Sequence, residues 1–222
     1  MRVLDLLLPQ RCVACGHGGA LLCGDCRGAL HRLDGVGCDR CGAPTAWPVR
    51  RCRECAGRRI AFAHARAAVA YDRRIRKLVR GWKEHGLRTL GALAADLVVE
   101  VVPRPEVAAV AWVPPSRDRV LRRGHSTSEQ LARELAVRWS LEPLDALARV
   151  RDPPPQRRLD LRERRRNVSG AFRARASPAR VCLVDDVYTT GATASAAATA
   201  LRAGGARTVV VVTFARTLRS LH

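Results

Sequence analysis

Two patterns in this 222-residue chain could do chemistry. One is the stretch Arg180-Val181-Cys182-Leu183-Val184-Asp185-Asp186-Val187-Tyr188-Thr189-Thr190-Gly191-Ala192-Thr193, where a short apolar run meets two acids and then a turn of hydroxyls and glycine. Carboxylates at a strand's carboxyl end can accept hydrogen bonds from two neighbouring sugar hydroxyls. Thr189, Thr190, Gly191, Ala192 and Thr193 lead into a helix expected at Ala194 to Ala203. The unpaired first amides of that helix and its positive dipole end make a cup for a phosphate. A diol beside a phosphate describes a ribose 5-phosphate. Two plainer readings compete. A magnesium-binding strand of a nucleotide hydrolase would need a Gly-x-x-x-x-Gly-Lys-[Ser/Thr] loop, which the chain lacks. The stretch could otherwise be a strand and helix capped by Thr and nothing more.

The other pattern is four Cys-x-x-Cys pairs: Cys12 and Cys15, Cys23 and Cys26, Cys38 and Cys41, Cys52 and Cys55. A two-residue gap turns both sulfurs toward one ion, and two pairs complete a closed tetrahedral site of four thiolates, so two structural zinc ions are expected. Consecutive pairing gives two small ribbons at 12–26 and 38–55. A cross-braced pairing, first with third and second with fourth, fits the spacing too. No secretion signal favours disulfides, and no pair is followed by the His of a haem attachment site. His17 and His31 are expected in solvent rather than as ligands.

The elements that must position these residues follow from pattern. Hydrophobic residues make up 47% of the chain, enough for a packed core, and no apolar run spans a membrane. A soluble, cytoplasmic protein is expected. The short run Val181 to Val184, with its helix directly behind, suits a strand buried on both faces of a parallel sheet. Residues 2–8 should form a short apolar or amphipathic helix. A strand is expected over Ala61 to Tyr71. Asp72 should cap a helix from Arg73 to Glu84 whose Ile75, Leu78, Val79 and Trp82 share a face. Lys83, near its end, is either a surface lysine or a substrate contact. A helix over Thr89 to Val102 and a strand over Val107 to Val113 precede Pro114-Pro115-Ser116-Arg117, a rigid turn with a hydroxyl and a guanidinium. It reads either as an anion-binding loop or as a plain turn. The basic run Arg117 to Thr127 reads as a segment folding over an anion, or as a solvated charge run. Ser126 or Thr127 should cap a helix from Ser128 to Trp139 with Leu131, Leu135 and Val137 in the core. One strand is expected over Glu142 to Val150, an extended loop at Pro153-Pro154-Pro155, a basic segment over Arg157 to Arg166, a short strand at Phe172 and a last strand over Arg207 to Arg216. Cys182 reads as a core residue.

The formal charge is +20, almost all from Arg, since Lys77 and Lys83 are the only lysines. Eight thiolates on two zinc ions would lower it by four. A surplus of this size favours anionic partners, nucleic acid or phosphorylated substrates. The arginines are spread along the chain rather than gathered in one stripe, as drift in overall composition would also leave them.

The strand, the two acids and the Thr-Thr-Gly-x-Thr turn resemble the 5-phosphoribosyl-1-pyrophosphate (PRPP) signature of type I phosphoribosyltransferases. With the four cysteine pairs, Trp82-Lys83, Val113-Pro114-Pro115, Arg119 to Gly124, Pro154-Pro155-Gln156 and Arg165-Arg166-Asn167, nearly the whole chain resembles the ComF/GntX family of competence-associated, zinc-ribbon phosphoribosyltransferase-like proteins. The resemblance implies an α/β fold, a Rossmann-like parallel sheet behind a small double zinc-ribbon module, divided near 1–58 and 59–222. It implies that Asp185 and Asp186 bind the ribose hydroxyls, Thr189 to Thr193 the 5-phosphate, and Pro115, Ser116 and Arg117 the pyrophosphate of magnesium-PRPP. Lys83 would also contact PRPP, and Arg119 and Arg122 would neutralise the leaving group. The partners implied are PRPP and a nitrogen acceptor, with single-stranded DNA or competence proteins as the alternative. The family usually has Arg-Gly-Phe/Tyr-Asn-Gln where this chain has Arg123-Gly124-His125-Ser126-Thr127. Any hood over the cleft is expected from the zinc module and residues 60–88.

Overall fold

The structure is a computed structural model that describes residues 10–116, 124–151 and 170–218. Its centre is a five-stranded, wholly parallel sheet of β1 (His64–Ala70), β2 (Ala109–Trp112), β3 (Glu142–Leu144), β6 (Arg180–Tyr188) and β7 (Thr208–Arg216), in the order β1-β7-β6-β2-β3. A separate antiparallel pair is formed by β4 (Leu147–Arg149) and β5 (Phe172–Ala174). The helices are α1 (Gly24–Gly28), α2 (Arg73–Glu84), α3 (Thr89–Val101), α4 (Thr127–Trp139) and α5 (Ala192–Ala203). Among the described residues no helix is long and apolar enough to cross a membrane. The expected α/β class with a parallel sheet is therefore the fold observed.

Alternation along β6 and β7 divides the core. Cys182, Val184, Val210, Val212 and Phe214 point to one face, where Ile75 and Trp82 of α2, Leu97 and Val98 of α3, and Leu131 and Leu135 of α4 cover them. Val181, Leu183, Val209 and Val211 point to the other, against Ala194, Ala197, Ala198 and Leu201 of α5. Strands buried on both faces need no polar alternation, which is why they read as continuous apolar runs. Cys182 has no exposed surface, and burial pushes its thiol up to about 12, as fits an inert core residue.

Helix boundaries follow their caps. Asp72 accepts from the Ile75 amide at 2.8 Å and starts α2. Ser126 accepts from the Glu129 amide at 3.2 Å and starts α4. Val137 corrects one expectation, being 78% exposed. It stands two residues after Leu135, off the stripe completed by Ala132, Ala136 and Trp139. The strand expected over Glu142 to Val150 is also corrected: Asp145 and Ala146 break it, so β3 joins the main sheet and β4 pairs with β5. The acids do not follow β6 but lie within it, because pairing with β7 continues to Tyr188, and α5 begins two residues early, at Ala192. The expected helix at 2–8, the Pro153-Pro154-Pro155 loop and the Arg157 to Arg166 segment lie outside the described residues, as does the 117–123 part of the basic run, whose 124–127 part leads into α4.

Residues 10–58 straddle the sheet at β1. The segment around His31 to Leu33 pairs with the free edge of β1, with Leu33 N–H on Ala68 O at 2.8 Å and Ala70 N–H on His31 O at 2.9 Å. Further along, Ala65 N–H donates to Arg40 O at 3.0 Å. An edge that would otherwise invite pairing with another chain is thereby covered. Cys12, Leu22, Cys26 and Leu30 join the core on the α2–α4 face, whereas Cys38, Cys41, Ala43 and Cys55 join the core on the α5 face.

Candidate phosphoribosyl-type crevice and zinc centres

The order in which successive strands are added reverses between β2 and β6. From β2 the chain passes through α4 to β3 on one side; from β6 it passes through α5 to β7 on the other. In open α/β sheets such a reversal leaves a crevice outside the carboxyl ends of the two strands, the usual place for a ligand. β2 pairs with β6 only as far as Trp112 opposite Val184, with Val113 N–H adding one bond to Val184 O at 2.9 Å. Past that point β6 runs on alone on this side, carrying Asp185 and Asp186. Topology thus brings together two loops far apart in sequence, the Val113-Pro114-Pro115-Ser116 turn after β2 and the Thr189 to Thr193 turn after β6.

Asp186 is buried and accepts from Lys83 Nζ at 2.7 Å on one oxygen and from Thr127 Oγ1 at 2.5 Å on the other. Lys83 comes from the last turn of α2 and Thr127 from the first turn of α4. Both helices are oriented by buried contacts: Trp82 Nε1 donates to Gln130 Oε1 at 2.9 Å, and the His125 ring lies 2.8 Å from Trp82 O. Asp185 points the other way along the strand, and its carboxylate accepts the Asp186 amide at 2.9 Å. Burial first, and the adjacent Asp186 second, raise its pKa to about 7. A carboxyl with that pKa sheds a proton readily when a cation or a hydrogen-bond donor arrives.

Asp185, Tyr188, Thr189, Gly191, Thr193 and Thr213 line a small polar recess at the start of α5. Gly191 has φ of +70°, so the turn suits glycine, and any Cβ there would strike the Tyr188 ring. Gly191, at the N-cap, supplies no side-chain cap. Ala192 N–H donates to Thr190 Oγ1 at 3.3 Å, so the amides left for an anion are those of the residues that follow it.

Of the two candidate caps named from sequence, Ser126 makes the cap and Thr127 gives its hydroxyl to Asp186. Three arginines of the crevice were not assigned to it from sequence. Arg58 donates to Thr190 O, tying the zinc module to the turn. Arg149 stacks over Phe172 and donates to Pro114 O at 3.1 Å, holding the second loop. Arg216, 1% exposed at the end of β7, donates to Cys41 O at 2.5 Å and Glu54 Oε2 at 2.6 Å, and lies over the Tyr188 ring. A lone charge ending an otherwise apolar strand was the available signal, because a buried guanidinium demands partners. Of the residues named from sequence, Pro115 and Ser116 lie on the loop after β2, while Arg117, Arg119 and Arg122 lie outside the described residues.

The cysteines form two clusters of consecutive pairs, Cys12-Cys15-Cys23-Cys26 and Cys38-Cys41-Cys52-Cys55, each with its four sulfurs within 4.8 Å of one another. The cross-braced alternative is thereby set aside. Individual separations are 3.6 Å for Cys15 to Cys23, 3.6 Å for Cys38 to Cys55, 3.5 Å for Cys41 to Cys52 and 4.0 Å for Cys52 to Cys55. Tetrahedral zinc with bonds of about 2.3 Å sets its sulfurs about 3.8 Å apart, whereas a disulfide needs about 2.05 Å. The donor set and spacing fit structural zinc. His17 and His31 are exposed and belong to neither cluster.

Comparisons with known proteins match the zinc ribbons and the chain as a whole. Residues 3–56 match the double zinc ribbon domain. The chain is 30% identical over 232 residues to the DNA utilization protein YhgH of Salmonella typhi, covering 96% of this chain and 100% of that one. The YhgH of Escherichia coli strain K12 is 29% identical over the same shares. Among solved structures, orotate phosphoribosyltransferase from Aeropyrum pernix is 20% identical, with a TM-score of 0.37, covering 68% of this chain and 80% of that one. With similarity running through the zinc ribbons and the sheet alike, the chain belongs to the ComF family, together with the YhgH proteins.

Proposed function

We propose that the crevice between β2 and β6 binds the ribose 5-phosphate part of magnesium-PRPP and presents it for phosphoribosyl transfer to a nitrogen nucleophile. The observation that carries this reading is the convergence, where the strand order reverses, of Asp185, Asp186, Lys83 and the Thr189 to Thr193 turn at a helix N-terminus. Residues 59–222 would bear the site, and residues 1–58 would brace it through zinc. Asp185 and Asp186 would accept from the two sugar hydroxyls, and the turn amides with Thr189 and Thr193 would take the 5-phosphate. Lys83, now paired with Asp186, would place its ammonium beside the sugar's anionic substituents. Pro115, Ser116, Arg117, Arg119 and Arg122 would receive the pyrophosphate. Magnesium would add positive charge between ribose and pyrophosphate oxygens. What this chain contributes is positioning and fixed charge rather than covalent chemistry.

Calorimetric titration of magnesium-PRPP into wild type and Asp185→Ala/Asp186→Ala tests the assignment. Binding by the wild type and its loss in the variant, at unchanged zinc content, is the expected result. Equal binding by both would remove these acids from the site. Pyrophosphate release that requires an added base would establish turnover.

A second reading concerns nucleic acid. The YhgH relatives are named for DNA utilization, and a formal charge of +20 supports contact with a polyanion. The two readings use different surfaces and can hold together.

A further inference from the structure

The second zinc ribbon carries a surface that the crevice does not use. Of the four tryptophans, Trp82, Trp112 and Trp139 are 1%, 6% and 5% exposed, whereas Trp47 is 69% exposed. Trp47 is held on a stiff turn. Pro44 and Pro48 flank it, Thr45 Oγ1 donates to Trp47 O at 2.7 Å, and Thr45 N–H donates to Val36 O at 3.2 Å. The strand-like bridge of Cys38 with Val49 closes the turn against the cysteine cluster. An indole fixed in water at this cost in apolar exposure suits a planar partner.

Its surroundings say what charge that partner bears. Trp47, Pro44, Val49, Arg51 and Arg53 border a mostly apolar cavity of about 460 Å³. Arg51 is shared with an adjoining hollow of about 700 Å³, bordered also by Arg40, Arg50 and Arg66. Arg50, Arg51 and Arg53 are exposed, and no described residue pairs with their guanidinium groups. Arg40 gives one hydrogen bond to Ile60 O, and Arg66 gives two, to Asp39 O and Ala65 O. Of the acids here, Glu54 is engaged by Arg216, which leaves Asp39 against five arginines. The folded chain therefore brings Arg40 and Arg66 to the local cluster Arg50, Arg51 and Arg53.

We infer that this face of the second zinc ribbon is a docking site for single-stranded nucleic acid, with a base stacked on Trp47 and the phosphates tracked by Arg50, Arg51 and Arg53. An aromatic platform beside mobile cations is the combination that binds unpaired bases without reading sequence. A duplex keeps its bases stacked on each other and offers the indole no free face. The inference rests on the nucleic-acid reading above and gives it a location; it does not depend on the crevice.

The test uses the full-length zinc-loaded protein and a dT oligonucleotide, with an RNA oligomer and a duplex as parallel probes. Binding should quench tryptophan fluorescence, because the one exposed indole is the reporter. Trp47→Ala should abolish that quenching and weaken binding by about tenfold, with Trp47→Phe recovering most of the loss. Arg50→Ala/Arg51→Ala/Arg53→Ala should lower the slope of log affinity against log salt by about 2. Each residue is at the surface, so zinc content and melting should stay as in wild type. Absence of oligonucleotide binding by the wild type would overturn the inference together with the nucleic-acid reading. Wild-type binding that Trp47→Ala leaves intact, or a duplex bound as tightly as the single strand, would overturn the location alone.

Discussion

The two four-cysteine clusters share a motif and a thiolate geometry, yet the chain ties them to the sheet differently. The first lies against α2 and α3. Its polar ties are peripheral: Lys77 Nζ donates to Ala14 O at 2.6 Å, and Arg27 pairs with Glu100, both about a third exposed. The second is joined to the crevice by Arg216, which touches Cys41, Glu54 and the Tyr188 ring while almost wholly buried, and by Arg58 on Thr190. Equal metal sites can therefore carry unequal structural weight. The difference lies in how deeply their connecting charges are buried, which no cysteine spacing encodes.

Removing each metal separately is the harshest way to break the comparison. Structural zinc contributes about 10–16 kcal/mol in small zinc-binding peptides, as much as a whole domain's stability. Cys15→Ser/Cys23→Ser and Cys41→Ser/Cys52→Ser should each reduce bound zinc from two ions to one. Only the second pair should also abolish a cooperative melt, followed by circular dichroism, because only its cluster is tied to the sheet through the buried Arg216.

The connecting arginines give the next largest contrast. Arg216→Met would strand the Glu54 carboxylate and the Cys41 carbonyl, and should cost about 3–5 kcal/mol in urea unfolding. Arg27→Met removes a pair whose side chains are 36% and 37% exposed, and should cost about 0–1 kcal/mol. Similar values for both would mean that the buried link is not special.

Equivalent glycines sharpen the contrast at single-atom scale. Gly16 and Gly42 each follow the second cysteine of a pair, with φ of +84° and +68°. A Cβ on Gly16 meets nothing within 4 Å, whereas one on Gly42 lies 2.5 Å from Ala65 O of β1. Gly16→Ala should cost about 1 kcal/mol of backbone strain, and Gly42→Ala at least about 1–2 kcal/mol more.

The smallest effect is a pH dependence. Asp185 titrates near 7 in the folded chain, against an ordinary 3.8. Folding thus takes up a proton between these values, and the stability contributed by this carboxyl is lost as pH rises through 7. Asp185→Asn should raise the melting temperature of ligand-free protein at pH 8 and leave it little changed at pH 4. An equal shift at both values would separate the effect from ionisation.

Sequence made some of this legible and not the rest. The Asp72 cap and the zinc pairs are local patterns and lie where they were expected, and the Asp-Asp and Thr-Thr-Gly stretch spans the end of a strand and the start of a helix, as its pattern implied. The fate of Val137 was decided by helix phase, and the break at Asp145 and Ala146 by competition between two sheets. Arg58, Arg149 and Arg216 act on residues 132, 35 and 175 positions away. A partner that distant leaves no periodicity, so these residues emerge only once the chain is folded. The approach of Arg40 and Arg66 to Arg50 and Arg51 was hidden for the same reason.

The most direct measurement is a crystal of the zinc-loaded protein soaked with magnesium-PRPP. The account predicts electron density for a ribose 5-phosphate between β2 and β6, its phosphate within the Thr189 to Thr193 turn and its hydroxyls on Asp185 and Asp186. Density confined to the arginines around Trp47, with Lys83 still paired to Asp186 over an empty crevice, would contradict it.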